Sequence, residues 1–519
     1  MRYVYIAATW LIGAAPACSQ SIDPNRMKAD LQFLSSDALE GRLSLRRGSE
    51  VAIQWVASEF AKAGLKPAAG DSFLQQLALI EFRVDRNESC IIIGGRREAI
   101  TSLFPNDVTV QAPMVFAGFG ITAPEFGYDD YAGLDARGKI ALVFDHEPQE
   151  DDPRSVFNGT GNTRHASSRV KILNAQRHGA VAVLVMNEPN RKHPTNAERT
   201  ARIPGSQDRN RRVASQAIAE DEIKIPLVSI RDAAAADLLR TSGRTAADLQ
   251  SSIDRTGKPQ SMPLSSARAE IRIVIAERRR AMTANVIGVL EGSDPELKKE
   301  TIMFSAHYDH DGASETAVFH GADDNGSGTV GVVELARAFA ASRTRPKRSL
   351  LFAVFAAEER GLLGSYYYAA HPLRPLDTTR AVINFDMIGR NETPSPQTEG
   401  LMQIDKDTSN ELNLIGTINS PDYREIVEAA NQRVGLSLNY KWDQDAALNI
   451  FQRSDQFPLS LHDIPAVWWF TGFHPDYHQA SDTVEKINFA KMEKIVRLAF
   501  LTGRALADGK SMPRFVARH

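Results

Sequence analysis

Histidine and acidic side chains stand where the apolar runs in the second half of the chain end. Ile302–Ala306 leads to His307, Asp309 and His310; Leu350–Ala356 leads to Glu358 and Glu359; Ala381–Phe385 leads to Asp386; and Pro465–Phe470 leads to His474, Asp476 and His478. A turn at residues 321–326 adds Asp323 and Asp324. Imidazole and carboxylate groups bind metal ions and transfer protons, so this pattern indicates metal-dependent or acid–base chemistry.

Each of these features has an ordinary structural explanation when it is taken alone. A single histidine near a strand end is more often a hydrogen-bonded structural residue, residues 323–326 are typical of a turn before a helix N-cap, and residues 358–360 of a solvated charge cluster. Together, however, four strand ends and one turn supply metal-binding groups to one edge of one sheet. The mixed histidine and carboxylate set suits zinc better than calcium, and the absence of cysteine argues against a closed structural site.

The elements that would position these side chains follow an α/β pattern. From about residue 284, apolar runs alternate with helical stretches over Ser327–Ala341 and Tyr423–Val434. This alternation predicts an α/β fold with a mixed, mostly parallel sheet that is sandwiched by helices. Open sheets of this kind bind ligands at the carboxyl ends of their strands, which is where the histidines and acids stand.

The first half of the chain has a different pattern of apolar and polar residues. Apolar residues at helical spacing between Gly48 and Lys62 predict an amphipathic helix. Residues 111–260 contain short strand-like runs between loops and helical stretches, which indicates a compact module of its own. Within that module, Arg191–Arg212 lacks periodicity and is interpreted as a solvated loop, with a mobile lid over a neighbouring site as the alternative.

Length and composition restrict the class of protein. The chain has 519 residues, too many for one hydrophobic core, so two or more domains are expected. Hydrophobic residues make up 43%, charged residues 24%, and the formal net charge is −3. Such a balance lacks the basic footprint of a nucleic-acid-binding protein, so neither nucleic acid nor an anionic membrane is expected as a partner.

The N-terminus is typical of a secretory signal peptide over residues 1–20. Arg2 supplies the positive charge, Tyr3–Ala15 is nearly all apolar, and small residues follow. The apolar run is short for a bilayer span, so the mature protein is expected to be exported without a transmembrane segment, to the periplasm or the extracellular space. Cys18 leaves a lipoprotein anchor as the alternative to plain secretion, and Cys90 is expected to be a lone buried thiol rather than part of a disulfide framework.

Six stretches of the second half resemble a known family. They are SAHYDH at 305–310, GADDNGSG at 321–328, FAAEERGLLGS at 355–365, NFDMIGR at 384–390, RSDQFPL at 453–459 and HPDYHQASDT at 474–483. The sequence resembles the co-catalytic dizinc aminopeptidases of the bacterial leucyl-aminopeptidase type, whose superfamily includes glutamate carboxypeptidase, transferrin receptor and glutaminyl cyclase. The resemblance implies a zinc-exopeptidase fold of the phosphorylase/hydrolase-like class.

The middle module is similar to a protease-associated domain. The matching stretches are FAGFGI at 116–121, YDDYAGLDARGKIALV at 128–143, NAQRHGAVAVLV at 174–185 and IPLVSI at 225–230. LQFLSSDALEGR at 31–42 also looks like the family's N-terminal segment. The resemblance therefore implies a mainly-β, α+β insertion over 111–260, between catalytic parts at 21–110 and 261–519.

The resemblance also implies a ligand set for two zinc ions. Carried over position by position, it assigns one ion to His307 and Asp386, the other to Glu359 and His478, with Asp324 bridging both. Asp309 is the expected carboxylate that orients the His307 ring. Asp323, beside the bridge, is expected to be structural.

Glu358 occupies the position that the family gives to the general base. Adjacent residues in extended backbone point to opposite sides, so Glu359 can reach a metal while Glu358 faces a zinc-bridging water. Tyr477 matches a tyrosine that stabilises the oxyanion in some relatives, although simple packing is an equal alternative. Gln456 departs from the family, which often has histidine there. Trp468, Trp469 and Phe470 are candidates for an apolar specificity pocket, with core packing expected for at least two of them.

The sequence therefore predicts a secreted dizinc metallo-exopeptidase, an aminopeptidase acting on peptides. Three alternatives stay open. A carboxypeptidase of the same fold needs a cationic pocket, which Arg390 or Arg453 could supply; a glutaminyl cyclase is an acyltransferase that uses one zinc; and a receptor-like binding module is expected to have lost ligands or the base. Every ligand position and the base are filled, which favours the enzyme.

Overall fold

The computed structural model describes residues 22–159, 161–206, 213–445 and 447–517. The expected signal peptide and Cys18 lie outside the described residues. Cys90 is a buried free thiol, as expected. In the part of the chain that is described, no helix has both the length and the apolar character needed to cross a bilayer.

The described residues form strands that fall into two large sheets and two small hairpins. The strands are β1 Lys66–Pro67, β2 Leu74–Val84, β3 Cys90–Ile93, β4 Arg96–Ala99, β5 Val108–Phe116, β6 Thr122–Ala123, β7 Tyr128–Asp129, β8 Ile140–Phe144, β9 Ala182–Met186, β10 Ser215–Ile218, β11 Leu227–Ser229, β12 Met262–Ile273, β13 Ile275–Leu290, β14 Thr301–His307, β15 Gly312–Ala313, β16 Val318–Phe319, β17 Ser349–Phe355, β18 Thr379–Phe385, β19 Glu411–Ile415, β20 Ser437–Asn439 and β21 Ala466–Phe470.

The α-helices cover the faces of these sheets and connect their strands. They are α1 Pro24–Leu34, α2 Arg47–Lys62, α3 Ser168–Arg177, α4 Asn196–Ala201, α5 Asp232–Leu239, α6 Ala246–Thr256, α7 Gly328–Ala340, α8 Leu363–Ala370, α9 Pro421–Asn431, α10 Gln456–Ser460 and α11 Phe489–Asp508. The helices predicted near Gly48–Lys62, Ser327–Ala341 and Tyr423–Val434 correspond to α2, α7 and α9.

The larger sheet confirms the mixed α/β fold. Its path runs β10-β2-β13-β17-β14-β18-β21-β19-β20, and β1 pairs with β13. Parallel pairing joins β17, β14, β18 and β21 at the centre, whereas β2, β10 and β13 extend the sheet with antiparallel pairs. Of the central strands, β14, β17 and β21 are buried along their whole length, which explains why they are continuous apolar runs rather than alternating ones.

Helices on both faces bury this sheet. One core cluster joins α1, α2, α7, α9 and α11 to one face through residues such as Phe60, Phe304, Phe339 and Phe352. A second cluster lies on the other face, where Tyr368 of α8 and Leu459 of α10 meet Met303 and Leu351. The centre of the sheet is therefore held from two sides, and its strand ends have fixed positions.

The smaller sheet has the order β11-β9-β8-β5-β12-β3-β4 and encloses its own core. It extends past both limits expected for the inserted module: β3 and β4, before residue 111, and β12, after residue 260, all belong to it. In the opposite sense, β10 lies inside 111–260 but pairs with β2 of the larger sheet. These limits depend on pairing between strands that are far apart in the sequence. The amino-acid composition of a segment does not indicate which strand it pairs with.

The segment interpreted as a solvated loop is partly ordered and packed. Residues 196–201 form α4, whose capping box joins Thr195 and Glu198. The Arg202 guanidinium donates to the carbonyl of Glu399 at 2.8 Å, and the Gln479 amide donates to the carbonyl of Pro204 at 3.0 Å. The described part of the segment, up to residue 206, therefore attaches the smaller sheet's region to the larger one.

Candidate active site and metal centre

The predicted site residues meet at one edge of the larger sheet. His307 is the last residue of β14, Asp386 follows β18 directly, and Glu358 and Glu359 come shortly after β17. Because these strands are parallel neighbours, their carboxyl ends bring the four side chains to the same edge. His478 reaches the same place from the segment that follows β21.

The acidic turn that carries Asp324 is held by a buried guanidinium. Arg42 donates to the carbonyls of Tyr308 and Gly321, at 2.8 and 2.7 Å, and so joins the end of β14 to the turn. Gly321 has φ +55°, and a Cβ there would stand 2.6 Å from the His310 ring. Asp324 and Asn325 are joined by a cis peptide bond. The turn therefore has a fixed approach to the histidines.

A buried acid, Asp482, also holds the turn. One carboxylate oxygen of Asp482 accepts hydrogen bonds from the main-chain N–H groups of Asp323 and Asp324, at 2.9 and 3.1 Å. The Asp323 carboxylate accepts from the N–H of Gly389 at 2.6 Å. Asp323 thus contacts the scaffold, as expected for a structural residue, while Asp324 faces the histidines.

His307 faces three carboxylates through one ring nitrogen. Its Nε2 lies 3.7 Å from Asp324 Oδ1, 3.6 Å from Glu358 Oε2 and 3.6 Å from Asp386 Oδ2. This nitrogen is buried and has no hydrogen-bond partner among the described residues. Its Nδ1 donates to the Asp309 carbonyl at 3.2 Å, so Nε2 can present its lone pair to a cation.

His478 forms a second group around the other oxygen of Asp324. Its Nε2 lies 3.3 Å from Asp324 Oδ2 and 3.4 Å from Glu359 Oε2. Its Nδ1 donates to the Asp311 carboxylate at 2.8 Å. The two oxygens of Asp324 therefore face two different histidines, which is the arrangement expected of a carboxylate that bridges two cations. The donor set and the partnerless Nε2 of His307 both fit divalent metal ions.

The Asp309 carboxylate contacts a different group from the one expected. Its Oδ1 lies 3.8 Å from His307 Nδ1, too far for a hydrogen bond, and instead accepts the main-chain N–H of Glu358 at 3.0 Å. The main-chain carbonyl of Asp309, not its side chain, orients the His307 ring. The carboxylate fixes the backbone that carries Glu358.

Two neighbouring residues take part that had no role in the sequence analysis. His310 approaches Glu359 Oε1 with Nδ1 at 2.8 Å, and Asp311 joins His478 to Arg360. Both lie in the stretch that follows β14, so their position beside His307 was a usable signal. Their partners are 49 and 167 residues away in the sequence, however, so no local sequence pattern identifies these partners.

The adjacent acids Glu358 and Glu359 face different histidines and have different electrostatic surroundings. Burial raises the pKa of the Glu358 carboxyl well above its usual range, with the nearby charges of Asp386 and Glu359 adding to this. Burial acts in the same direction on Glu359, but His478 and His310 outweigh it and lower the pKa of that carboxyl to about 2. Of the two, Glu358 is therefore the acid that holds a proton more readily.

A small cavity of about 20 Å³ opens over these groups. It is lined by Asp324, Glu358, Glu359, Asp386, Met387, Arg453, Trp468, Phe473, Tyr477 and His478. The Tyr477 hydroxyl accepts a hydrogen bond from Arg453 at 3.1 Å, and its ring packs edge-on against Phe473. The cavity therefore combines a metal-binding wall with an aromatic wall.

The remaining sequence candidates divide between this cavity and the core. Trp468 lines the cavity, whereas Trp469 and Phe470 are completely buried in the core, which agrees with the packing expected for at least two of the three. Gln456 is buried, accepts from the Asn384 amide at 3.2 Å and donates to the main chain at 2.7 Å. Gln456 therefore holds Asn384 of β18 and does not line the cavity.

The two arginines considered for a cationic pocket have different surroundings. Arg390 pairs with Asp476 at 2.8 Å, so its charge is already balanced. Arg453 lines the cavity and lies over the Phe473 ring. Of the two, only Arg453 is placed to meet a ligand.

A family model matches the part of the chain that builds this site. Residues 285–502 match the description "Peptidase family M28", and residues 110–238 match the description "PA domain". We refer to residues 285–502 as the M28 domain and to residues 110–238 as the PA domain, after the family models that they match. The PA domain precedes the M28 domain, so the expected resemblance is confirmed for both parts, and all five proposed metal ligands, Glu358 and Tyr477 lie within the M28 match.

Relatives of the M28 domain include named peptidases. Leucine aminopeptidase 2 of Arthroderma otae is 28% identical over 262 residues, which is 46% of this chain and 48% of the relative. A probable zinc metalloprotease of Leptosphaeria maculans is 26% identical over 262 residues, or 45% of this chain and 59% of the relative. The chain spans about half the length of the first curated relatives it matches.

The overall architecture is similar to that of a solved enzyme. The aminopeptidase from Aneurinibacillus sp. strain AM-1 is similar over 96% of this chain and 97% of its own length, with a TM-score of 0.50 and 21% identity. At that identity the likeness concerns the fold. It extends over both the PA domain and the M28 domain.

Proposed function

We propose that this protein is an exported, zinc-dependent aminopeptidase that removes N-terminal residues from peptides. The observation that carries the proposal is the pair of histidine and carboxylate groups that share Asp324, with Glu358 beside them. The M28 domain and the aminopeptidase and metalloprotease names of its relatives support it.

In this proposal the ligands of two zinc ions are those that the sequence suggested. His307 and Asp386 hold one ion, Glu359 and His478 hold the other, and Asp324 belongs to both, which is supported by the distances around the two histidines. When bound, the ions supply Lewis acidity to the scissile carbonyl and to the attacking water. Asp311 and the Asp309 carbonyl hold the outer ring nitrogens of the two histidines, so both Nε2 atoms point inward.

Glu358 is the proposed general base. It borders the cavity, and its carboxylate lies 3.6 Å from His307 Nε2, so it can reach a water in the cavity near His307. The carboxylate takes a proton from that water and returns it to the amine of the departing peptide. The hydrogen bond from its N–H to Asp309 keeps the carboxylate in place during both transfers.

Tyr477 is the proposed donor to the oxygen that becomes negative during attack. Arg453 donates to the phenol oxygen, so the phenol's own O–H is free to donate into the cavity. Burial raises the pKa of Tyr477 to about 12, so this hydroxyl keeps its proton at neutral pH. A neutral, oriented donor of this kind stabilises charge that appears only in the transition state.

The cavity supports attack at a chain end. The cavity is small, about 20 Å³, and the aromatic side chains of Trp468, Phe473 and Tyr477 border it, which supports the binding of a chain end over that of a continuous peptide. Arg453 is the observation that favours the second candidate, a carboxypeptidase, because it could bind a terminal carboxylate.

A matched peptide panel separates these two functions. We expect the zinc-loaded protein to hydrolyse aminoacyl p-nitroanilides and free peptides from the N-terminus, and to leave N-acetylated peptides intact. Release of C-terminal residues from N-acetylated peptides would instead support the carboxypeptidase. Failure to cleave any member, with zinc bound, would refute an exopeptidase and favour the binding-module alternative.

Export is a separate part of the proposal, because residues 1–20 lie outside the described part of the chain. Expression of the full sequence with N-terminal sequencing of the mature product tests it. A start near residue 18 or later is expected; retention of Met1 would contradict export through a cleaved signal. A lipid on Cys18 would identify the lipoprotein alternative.

A further inference from the structure

A second group of histidines and acids lies in the PA domain, away from the cavity described above. Its members are His146, Glu150, Glu188 and His193. Glu150 follows β8 and Glu188 follows β9, and these strands are parallel neighbours, so both acids stand at one edge of the smaller sheet. His193 comes from the segment that leads into α4.

His193 presents one ring nitrogen to both acids. Its Nδ1 donates to the carbonyl of Pro194 at 3.2 Å, which leaves Nε2 as the atom that faces the carboxylates. Nε2 lies 2.9 Å from Glu150 Oε2 and 3.9 Å from Glu188 Oε1. With the proton on Nδ1, the Nε2 lone pair and the carboxylate oxygens face one another, and these three atoms are of the types that bind a divalent cation.

One oxygen of the buried Glu188 carboxylate, Oε1, lacks a hydrogen-bond partner among the described residues. Its side chain is 4% exposed and that of His193 is 6% exposed. Neither Glu188 Oε1 nor His193 Nε2 makes a hydrogen bond with any residue that the structure describes. Burying a carboxylate in this state is costly, since its lost hydration is not replaced.

His146 supports the group from outside. Its Nε2 accepts a hydrogen bond from Arg199 at 3.0 Å, so its Nδ1 carries the proton and donates to Glu150 Oε1 at 2.7 Å. This fixes the Glu150 carboxylate with its second oxygen turned toward His193. His146 thus acts as a hydrogen-bond donor behind the acid, the usual relation around a metal ligand.

The two histidine rings stack with centroids 3.9 Å apart and an angle of 6° between their planes. The stack holds the His193 ring in one plane beside His146. Arg199, the guanidinium nearest to the stack, donates to His146, Asn196 and two main-chain carbonyls.

We infer that Glu150 Oε2, Glu188 Oε1 and His193 Nε2 bind a divalent cation of the zinc type. Zinc bonds of about 2.0–2.1 Å in tetrahedral geometry place ligand atoms about 3.3 Å apart, and the separations of 2.9 and 3.9 Å lie on either side of that value. Water completes the coordination. A cavity of about 350 Å³, lined by Glu150 and His193, gives the ion a route from solvent.

The site has a structural role in this inference. It joins the ends of β8 and β9 to the segment that carries Arg199 and Arg202, and these two side chains donate to the carbonyls of Ala447 and Glu399 in the M28 domain. A cation at His193 therefore fixes the segment that attaches the PA domain to the M28 domain. The inference does not depend on the proposed peptidase activity.

Zinc counting on the full chain tests the inference. The protein is stripped with chelator, reloaded with zinc, separated from free metal, and its zinc per chain is measured by mass spectrometry. His193→Ala is expected to hold one zinc fewer than the wild type. His178→Ala, which removes another PA-domain histidine, stacked on Tyr131, is the matched control and is expected to hold the wild-type number.

A second variant and a crystallographic measurement cover the case in which His193→Ala does not fold. Glu188→Gln keeps the size of the side chain and is also expected to hold one zinc fewer. An anomalous difference peak at the zinc edge is expected between Glu150, Glu188 and His193. Equal zinc in the wild type and in the folded variants, or no such peak in the zinc-loaded protein, would overturn the inference.

Discussion

The two histidine and carboxylate groups of this protein use the same structural principle in two different sheets. In the M28 domain the ligand candidates follow β14, β17 and β18; in the PA domain they follow β8 and β9. Both sets stand at the carboxyl ends of parallel strands. Neighbouring parallel strands end at the same edge of a sheet, so the residues that follow them lie close together. The difference lies in what surrounds them.

The M28 group has Glu358 and Tyr477 beside its cavity, whereas the described residues that line the cavity at the PA group include no tyrosine. Glu358 and Tyr477 both line the M28 cavity. In the PA group, both acids face His193 Nε2, and His146 donates to the other oxygen of Glu150. The comparison teaches that a donor set alone supports metal binding, and that chemistry needs additional groups aimed at a space that substrate can enter.

Replacement of the proposed base gives the largest expected change in activity. Glu358→Gln keeps the shape of the side chain but cannot accept the proton, so kcat is expected to fall about 10²- to 10⁴-fold. Zinc content should match the wild type at both groups. Turnover on an aminoacyl p-nitroanilide and zinc analysis of the same sample measure the two quantities.

The control for this variant is Glu425→Gln, an exposed glutamate on α9. It should leave turnover unchanged. A Glu358→Gln protein that works at the wild-type rate would remove the chemical distinction between the two groups.

Replacement of Asp324 should separate the groups by metal content. Its two oxygens face His307 and His478, so Asp324→Asn weakens both positions of the M28 site. We expect zinc per chain to fall there, and turnover with it, while the PA group keeps its ion. Zinc analysis combined with anomalous scattering at each group distinguishes the two losses.

Asp377→Asn, at an exposed position of the same domain, is the control. Full zinc occupancy in Asp324→Asn would contradict the role of Asp324 as a shared ligand. Simultaneous loss of the ion at His193 would show that the two groups are not independent.

Removal of the Tyr477 hydroxyl should affect the transition state and leave the ground state almost unchanged. Tyr477→Phe retains the packing against Phe473 but loses the proposed hydrogen bond to the oxyanion. We expect kcat to fall about 10²-fold with little change in KM. Steady-state kinetics on one chromogenic amide give both constants.

Tyr367→Phe, on α8, removes a hydroxyl away from the cavity and should be neutral. If Tyr477→Phe raises KM alone, or changes neither constant, the tyrosine is a packing residue. The aromatic wall of the cavity would then be its only contribution.

The smallest effect is expected at the attachment between the domains. Arg202→Ala removes hydrogen bonds to the carbonyls of Pro396 and Glu399 at 3.3 and 2.8 Å. The PA segment should become more susceptible to limited proteolysis, with kcat/KM changed less than about threefold, because exposed contacts contribute about 1 kcal/mol or less. Mass spectrometry of the fragments locates the cleavage.

Lys192→Ala is the matched control, since that side chain is 74% exposed and pairs only with an acid of its own domain in the described structure. Equal cleavage of the two variants would show that Arg202 does not hold the segment. A large loss of activity in Arg202→Ala would make the segment part of the cavity.

The position of the M28 site was predictable from the sequence because each of its side chains ends a continuous apolar run. His307, Asp386 and the Glu358-Glu359 pair follow buried central strands, whose order in a parallel sheet brings their ends together. The resemblance then suggested which side chain binds which ion. Neither source could assign Asp311 to His478, because that contact joins residues 167 positions apart.

The PA group gave no comparable signal. Glu188 and His193 lie in or beside a stretch of polar residues without periodicity, which is typical of an exposed loop. Both side chains are nevertheless buried, and the segment that follows them is attached to distant carbonyls through Arg199 and Arg202. Hydrophobic periodicity indicates which face of a helix or strand is buried. It does not indicate whether other parts of the protein bury the side chains of an irregular segment.

The sequence by itself determined the α/β class, the strand ends that carry metal-binding groups and the presence of a separate middle module. These depend on local periodicity and on residue type, which neighbouring positions reveal. Only the tertiary structure decided that the Asp309 carbonyl and not its carboxylate holds His307, and that β10 pairs with the larger sheet. It alone also brought His193 to Glu150 and Glu188. Such contacts depend on the path of the whole backbone, because a hydrogen bond or a ligand distance is fixed by atoms that chain folding brings together from remote positions.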